Sequence, residues 1–188
     1  MDKLSKAVLE YALLEGASLS GIVTTEDLVG GPPSADLTYV LKGAKSAVTF
    51  AIAMDPECIP PYLMKKDRLR LEKDMVRANV QSSGIALHLS NYLNAKGHIS
   101  VPVAANLVYR PSGNDGTAYD PTETVFPGIA HRYLAVQSGL GFLGMSGNLI
   151  TPEFGATVIL GTVITQAPLD PTPPLPPEAN YCDDCRLC

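Results

Sequence analysis

Three cysteines near the C-terminal end of the sequence have the spacing of iron–sulfur ligands. Cys182, Cys185 and Cys188 form the pattern C-x2-C-x2-C. Thiolates three residues apart on a looping backbone can converge on one cluster, and the pattern matches the opening of the bacterial run C-x2-C-x2-C-x3-C-P. The fourth cysteine of that run does not follow within the 188 residues. The spacing therefore predicts three ligands of a [4Fe–4S] cluster that is incomplete in this chain.

Two other uses of these cysteines stay open. Cys58 could complete a zinc site with them, or the thiols could be unpaired. Zinc sites more often pair two C-x2–4-C units at a distance, so the spacing favours iron–sulfur. A disulfide framework would distribute cysteines through the fold, whereas three of the four lie in the last seven residues. This distribution favours a reducing compartment and predicts a cytoplasmic protein.

A second motif lies upstream of the cysteines. Residues 139–144, GLGFLG, fit the pattern G-x-G-x-x-G, which in dinucleotide-binding folds lets a pyrophosphate approach a helix N-terminus. That fingerprint follows a strand and opens a helix, whereas a predicted helix precedes these glycines and a predicted strand follows them. A dinucleotide site is therefore disfavoured. The glycines still indicate that a bulky group or another backbone segment comes close.

The surroundings of this motif carry a family resemblance. Residues 135–155, AVQSGLGFLGMSGNLITPEFG, are similar to the signature of the epoxyqueuosine reductase and reductive dehalogenase superfamily. The likeness continues through VILG at 158–161 and TQAPL at 165–169, and then into the cysteine run. The residues ITPEFG at 150–155 favour the reductive dehalogenase-like branch.

The resemblance implies an α+β fold, an α/β sandwich of nitroreductase-like architecture with a central mixed sheet flanked by helices. It implies a cobalamin-binding domain followed by [4Fe–4S] clusters, which pass electrons from a redox donor to the corrinoid that reduces a small-molecule substrate. In such enzymes the cofactor carries the chemistry and the protein supplies placement and protons. The residues expected against the corrin are Gly139, Leu140, Gly141, Ser146, Gly147 and Asn148. A tight helix-to-strand turn with packing glycines is the alternative for this segment.

The sequence departs from the family pattern at two positions where the family has functional side chains. The epoxyqueuosine reductases carry a proton-donating Asp where this chain has Val125, and both branches carry a basic residue where it has Met145. The dehalogenases use a Tyr near the start of the long central helix, and Tyr62 lies at that place, which makes it the candidate catalytic residue. Two alternatives therefore stay open beside an oxidoreductase: a non-catalytic corrinoid-binding or corrinoid-handling protein, and a flavin-binding nitroreductase-like domain.

The composition limits the partners. Lys and Arg total 14 against 19 Asp and Glu, which gives a net charge of −5 and argues against a general nucleic-acid binder. No segment has the roughly 18 to 20 consecutive apolar residues that span a bilayer. The charged N-terminal segment does not resemble a signal peptide. The sequence leaves the oligomeric state open.

Around these motifs the hydrophobic periodicity predicts one α+β domain. We expect a corrinoid-binding-like domain over 1–167, a Pro-rich linker over 168–180 and the start of a ferredoxin domain over 181–188. Six of the ten residues from 168 to 177 are Pro, which favours an extended, semi-rigid spacer. The pattern predicts helices at 4–13, 62–95 and 129–138, strands at 19–23, 46–54, 99–103, 148–150 and 156–165, and a long loop at 109–128.

We expect the 188-residue chain by itself not to hold a complete [4Fe–4S] cluster, because the run supplies only three of its ligands. Iron and acid-labile sulfide analysis after anaerobic reconstitution checks this. A stoichiometric [4Fe–4S] cluster in this chain would contradict it.

Overall fold

The computed structural model describes residues 1–103, 127–180 and 182. Residues 109–126 of the predicted loop at 109–128 and most of the cysteine run lie outside the described residues. The helices are α1 (Lys3–Leu14), α2 (Ile59–Leu63), α3 (Leu69–Ala95) and α4 (His131–Gln137). The strands are β1 (Leu19–Thr24), β2 (Ser46–Ala53), β3 (Ser100–Val103), β4 (Phe142–Leu143), β5 (Leu149–Ile150) and β6 (Val158–Thr165).

Four of these strands form a central sheet in the order β1–β2–β6–β3. The two middle strands, β2 and β6, pair antiparallel over eight residues each. The α+β fold with helices around a central sheet is confirmed. A mixed sheet was expected, whereas every neighbouring strand pair among the described residues is antiparallel. Helix α3 does connect two strands that run parallel to each other, β2 and β3. Strand β6 lies between them and runs opposite to both.

Helices cover both faces of this sheet. Successive strand residues point to opposite faces, and in β2 the side chain of Phe50 packs with α1 and α3 residues such as Leu89. On the other face, Ala47 packs with Leu134 of α4. The result is a three-layer arrangement in which α3 and α4 lie on opposite sides of the sheet.

The predicted helix at 62–95 is two helices in the structure, so that prediction was wrong in its N-terminal part. Helix α2 ends at Leu63, and Lys65 takes a left-handed backbone conformation with φ of 55°. A left-handed residue stops the ladder of helical hydrogen bonds. The carbonyl of Pro61 then accepts the N–H of Lys66, and α3 begins at Leu69.

Part of the Pro-rich segment lies against the domain. We call residues 168–175 the strap. The backbone N–H of Thr172 donates to the Ile22 carbonyl at 3.0 Å, and the Thr172 hydroxyl accepts the Ile22 N–H at 3.0 Å. Because β1 is an edge strand, these bonds satisfy backbone groups that would otherwise face solvent. Leu169 of the strap is buried in the core beside α1 and α3. The division into domains at 167 and 180 stays a prediction.

Gly161 of β6 allows a close contact that no larger residue permits. It lies opposite Phe50 in the β2–β6 pairing, and a methyl group at Gly161 would collide with the Phe50 ring and the Ser82 hydroxyl. We expect Gly161→Ala to lower the free energy of unfolding by about 1–3 kcal/mol, because the core cannot expand without strain. Urea unfolding followed by circular dichroism measures the difference.

Gly84 of α3 provides the matched control. A methyl group built there meets no atom within 4 Å. Gly84→Ala should therefore leave stability unchanged or raise it by up to about 1 kcal/mol through helix propensity. Equal effects of the two substitutions would show that the Phe50 contact does not constrain Gly161.

Candidate functional site

A pocket of about 740 Å³ opens between α4, the end of β3 and the loop that joins β4 to β5. Its volume is in the range of small-molecule and cofactor sites. Most of its lining is apolar, and none of the described residues that line it carries a carboxylate. The lining residues are Pro32, Tyr39, Val40, Pro102, Val103, Pro127, Gly128, Ile129, Ala130, His131, Arg132, Tyr133, Leu143 and Gly147.

His131 is held in a fixed orientation at the pocket wall. It is the first residue of α4, and its Nδ1 lies 2.7 Å from the hydroxyl of Thr162 on β6. Thr162 is fully buried, so the central sheet positions the imidazole directly. His131 also lines a second, smaller pocket of about 160 Å³. A fixed imidazole between two pockets is placed to exchange a proton or a hydrogen bond with a bound molecule.

Arg132 supplies a positive charge at the same wall. Its guanidinium donates a hydrogen bond to the carbonyl of Gly147, and the side chain lines both pockets. No described carboxylate forms an ion pair with it. Arg132 therefore brings a cation beside the loop in which the family pattern has a basic residue and this chain has Met145. Sequence reasoning missed it, because α4 and that loop meet only in the folded chain.

Two of the predicted corrin-contacting glycines are packed against the chain itself. Gly139 has φ of 79°, and a side chain on it would collide with the carbonyl of Pro173 in the strap. A side chain on Gly141 would collide with the carbonyl of Ile150. Both glycines are therefore explained by close packing against other backbone segments of the chain. This is what the alternative, a tight helix-to-strand turn with packing glycines, predicts. Leu140 is 4% exposed and packs in the core.

The other three predicted residues lie at the turn of the β4–β5 hairpin. Gly147 has φ of 74° and lines the larger pocket, whereas Asn148 lines the smaller one. Ser146 directly precedes Gly147 in the turn and is exposed. The turn is closed by the N–H of Gly144, which donates to the Asn148 carbonyl at 2.9 Å. The structure therefore separates a buried part of the motif, at 139–141, from a pocket-facing part at 146–148. Binding of a cofactor by these residues stays a prediction.

The structure brings the glycine motif and the cysteine run together. The backbone N–H of Met145 donates to the sulfur of Cys182 at 3.3 Å, across 37 positions of sequence. Amide hydrogen bonds to sulfur are a common feature of iron–sulfur sites, where they tune the potential. Cys185 and Cys188 lie outside the described residues. Within the part of the chain that the structure describes, no three His, Cys, Asp or Glu residues gather as metal ligands.

The zinc alternative depends on Cys58, which lies in a different environment. Its side chain is 2% exposed, and its thiol donates to the carboxylate of Asp55 at 3.4 Å. Burial, and then the hydrogen bond to Asp55, raise the pKa of the Cys58 thiol. The carboxylate of Asp55 accepts the N–H of Glu57, and this bond is the main reason that its pKa is lowered. Cys58 thus has a structural hydrogen bond in the turn before α2.

Tyr62 lies on α2, close in sequence to that turn, and is 43% exposed. It does not occur among the described residues that line the two pockets. The corner before α3 is held by Asp74, which accepts the Asp55 N–H at 2.7 Å and the Arg77 guanidinium at 2.6 Å. The bond from Arg77 is the largest cause of the lowered pKa of Asp74. The catalytic role of Tyr62 stays a prediction.

Fold and pocket together define an α+β domain with a cofactor-sized pocket, next to the loop whose Met145 N–H contacts Cys182. No protein-family model matches the chain. It is 42% identical over 60 residues to an epoxyqueuosine reductase from Atelocyanobacterium thalassa, and 35% identical over 60 residues to one from Staphylococcus aureus. Each match covers 32% of this chain, but only 19% and 15% of the two relatives.

Solved structures share the fold over nearly the whole chain. An epoxyqueuosine reductase crystallised with a tRNA stem loop superposes with a TM-score of 0.62 at 20% identity, covering 97% of this chain and 50% of that one. A reductive dehalogenase, described as B12-dependent, superposes with a TM-score of 0.60 at 22% identity, covering 94% and 22%. The predicted resemblance to the epoxyqueuosine reductase and reductive dehalogenase superfamily is confirmed. At these identities the structural likeness establishes the fold.

The expected partners included neither a membrane nor a nucleic acid. The described helices include none that is both long and apolar enough to cross a membrane. One structural neighbour was solved with RNA, and that complex is a property of the neighbour. The exclusion of nucleic acid from the net charge of −5 stays a prediction for this chain.

Gly139 and Gly155 offer a matched test of the contact between the strap and the glycine motif. Both have positive φ, of 79° and 56°, so an alanine at either position costs roughly 1–2 kcal/mol in backbone strain. Only Gly139 also faces the Pro173 carbonyl, whereas Gly155 has no atom within 4 Å of the added methyl group. We expect Gly139→Ala to destabilise the fold by about 1–3 kcal/mol more than Gly155→Ala.

Thermal and urea unfolding of the two variants measures this difference. The strap should also become more susceptible to limited proteolysis in Gly139→Ala alone. Equal losses of stability with an unchanged cleavage pattern would show that Gly139 is not held by the strap.

Proposed function

We propose that this chain is the corrinoid-binding part of an iron–sulfur oxidoreductase. The observation that carries the proposal is the 3.3 Å hydrogen bond from the Met145 N–H to the Cys182 sulfur. Met145 lies in the β4–β5 loop whose Gly147 lines the pocket. A cluster bound at Cys182 would therefore lie next to a group bound in the pocket, as electron transfer between them requires.

The described lining offers a mostly apolar surface on which the face of a large ring can pack. Tyr39, Tyr133 and Leu143 offer aromatic and aliphatic surface, and Gly147 allows backbone to approach a flat ring closely. A bound corrinoid would supply a strongly reducing cobalt centre, and the protein would supply placement and protons. The chain spans half the length of the epoxyqueuosine reductase structure to which it is similar, so the activity of a whole enzyme is part of the proposal.

The polar side chains of the pocket have distinct roles in this proposal. The guanidinium of Arg132 attracts an anionic group of the cofactor or substrate, because no described carboxylate in the lining neutralises it. The imidazole of His131, oriented by Thr162, is placed to hold or move a proton at the pocket wall. His131 and Tyr133 line the pocket and Tyr62 does not, which favours the first two as proton donors.

Two observations point to different branches of the superfamily. The curated relatives reported above are epoxyqueuosine reductases, whereas the wording ITPEFG at 150–155 favours a reductive dehalogenase-like reaction. Neither the Asp nor the basic residue of the family pattern is present, since Val125 and Met145 stand at those positions. We propose a reductive reaction on a small-molecule substrate, with the branch to be decided by assay.

We expect the chain to bind hydroxocobalamin with a shift in its visible absorption spectrum. Leu143 lines the pocket and is 56% exposed, so Leu143→Glu should place a charge on the apolar wall without unfolding the domain. The affinity for the corrinoid should fall about tenfold or more. Spectral titration of the two proteins measures this change.

Leu14→Glu is the matched control, because Leu14 is 87% exposed at the end of α1, on the sheet face opposite α4. It should bind the corrinoid like the unchanged chain. Binding of FMN with no corrinoid binding would favour the flavin alternative. Absence of binding by hydroxocobalamin, cobinamide and FMN would overturn the proposal.

A second experiment separates an enzyme from a corrinoid carrier. A chain long enough to include the fourth cysteine is reconstituted with iron, sulfide and cobalamin, and supplied with reductant and halogenated aromatic substrates. Halide release would support the dehalogenase-like reaction. Corrinoid binding without turnover of either halogenated compounds or epoxyqueuosine would favour the carrier.

A further inference from the structure

Helix α3 carries an apolar stripe that faces solvent. Leu69 is 59% exposed, Val76 63%, Val80 67% and Leu87 50%. With 3.6 residues per turn, these four side chains lie within an arc of about 40° around the helix axis. They extend over about 27 Å of the helix. We call them the outer stripe.

The outer stripe is distinct from the face by which α3 packs on the sheet. The buried residues of that inner face include Leu71, Ala78 and Leu89, which lie on the opposite side of the helix. A surface helix of a globular domain normally presents polar side chains to solvent, because only one of its faces is buried. A row of exposed apolar side chains on the second face indicates an interaction surface.

The order of residues in the outer stripe indicates its occupant. The spacings from Leu69 to Val76, Val80 and Leu87 are seven, four and seven residues, so the stripe reads the same in both directions about Ala78. We propose that a second copy of this chain binds here, with the two α3 helices antiparallel about a two-fold axis near Ala78. The axis places Leu69 against Leu87 of the second copy. It also places Val76 against Val80 of the second copy.

The polar residues beside the stripe fit the same arrangement. Glu72 and Lys73 flank its N-terminal half, and Ser83 and Gly84 flank its C-terminal half. The two-fold axis sets Glu72 opposite Gly84 of the second copy and Lys73 opposite Ser83 of the second copy. No like charges face each other, and the long side chains meet small ones. A parallel pairing would instead bring Lys73 against Lys73 of the second copy.

The space needed for this contact is present. A methyl group on Gly84 would meet no atom within 4 Å, so a helix can approach α3 there. The outer stripe lies on the sheet face opposite α4, and the pocket is lined from α4. Pairing through α3 therefore leaves the pocket open, and the proposal does not depend on the proposed function.

Sedimentation of the 188-residue chain over a range of concentrations tests the proposal. We expect a monomer–dimer equilibrium. Substituting both valines with lysine, Val76→Lys with Val80→Lys, should raise the dissociation constant of the dimer about tenfold or more, because lysines then face lysines. Substituting both with glutamate should have the same effect. Val29→Lys is the control, since Val29 is 83% exposed outside α3 and should leave the equilibrium unchanged.

Mixing the two charged variants makes the test independent of folding defects. The lysine and glutamate chains should form a mixed dimer, because the two-fold axis brings opposite charges together. A chain that stays monomeric at 100 μM, or a dimer that the valine substitutions do not weaken, would overturn the proposal. Failure of the mixed variants to associate, with circular dichroism showing both folded, would also overturn it.

Discussion

The pairing of β6 with both β2 and β3 is the constraint on which the site depends. The residues of β6 alternate between the two faces of the sheet, so this one strand contacts the helices on both sides. On one face Gly161 leaves room for the Phe50 ring beneath α3. On the other, Thr162 holds the imidazole of His131 at the pocket wall. A slip of one residue in the register would exchange these faces and disturb the core and the pocket together.

The second constraint is the strap, which connects the sheet, helix α4 and the cysteine run. The hydroxyl of Thr172 donates to the Ser138 carbonyl at 2.7 Å, while its backbone and hydroxyl oxygen pair with Ile22 of β1. Pro173 fills the space above Gly139. The strap thus fixes the path of the chain from the sheet edge toward Cys182. A proline-rich sequence suits this role because its backbone loses little entropy on ordering.

The segment from Gly139 to Asn148 has two different structural roles, which its glycine spacing alone does not show. Gly139 and Gly141 admit other backbone segments of the same chain, and Gly147 lines the pocket. Between them, the Met145 N–H reaches the Cys182 sulfur. Because this hydrogen bond comes from the backbone, Met145 makes it even though the family pattern has a basic side chain at this position. The positive charge near the loop comes from Arg132 instead, through its hydrogen bond to the Gly147 carbonyl.

The sequence alone determined the fold class, most of the strands and the family resemblance, because alternating apolar residues and short motifs are local signals. It also placed Cys182 and Gly147 among the candidate site residues. It could not show the break at Lys65, which requires a left-handed residue inside an otherwise helical pattern. Only the tertiary structure brought Arg132 to Gly147 and Met145 to Cys182, and only it left Tyr62 outside the pocket lining. These relations join residues on separate elements, and their distances follow from how the sheet, α4 and the strap pack.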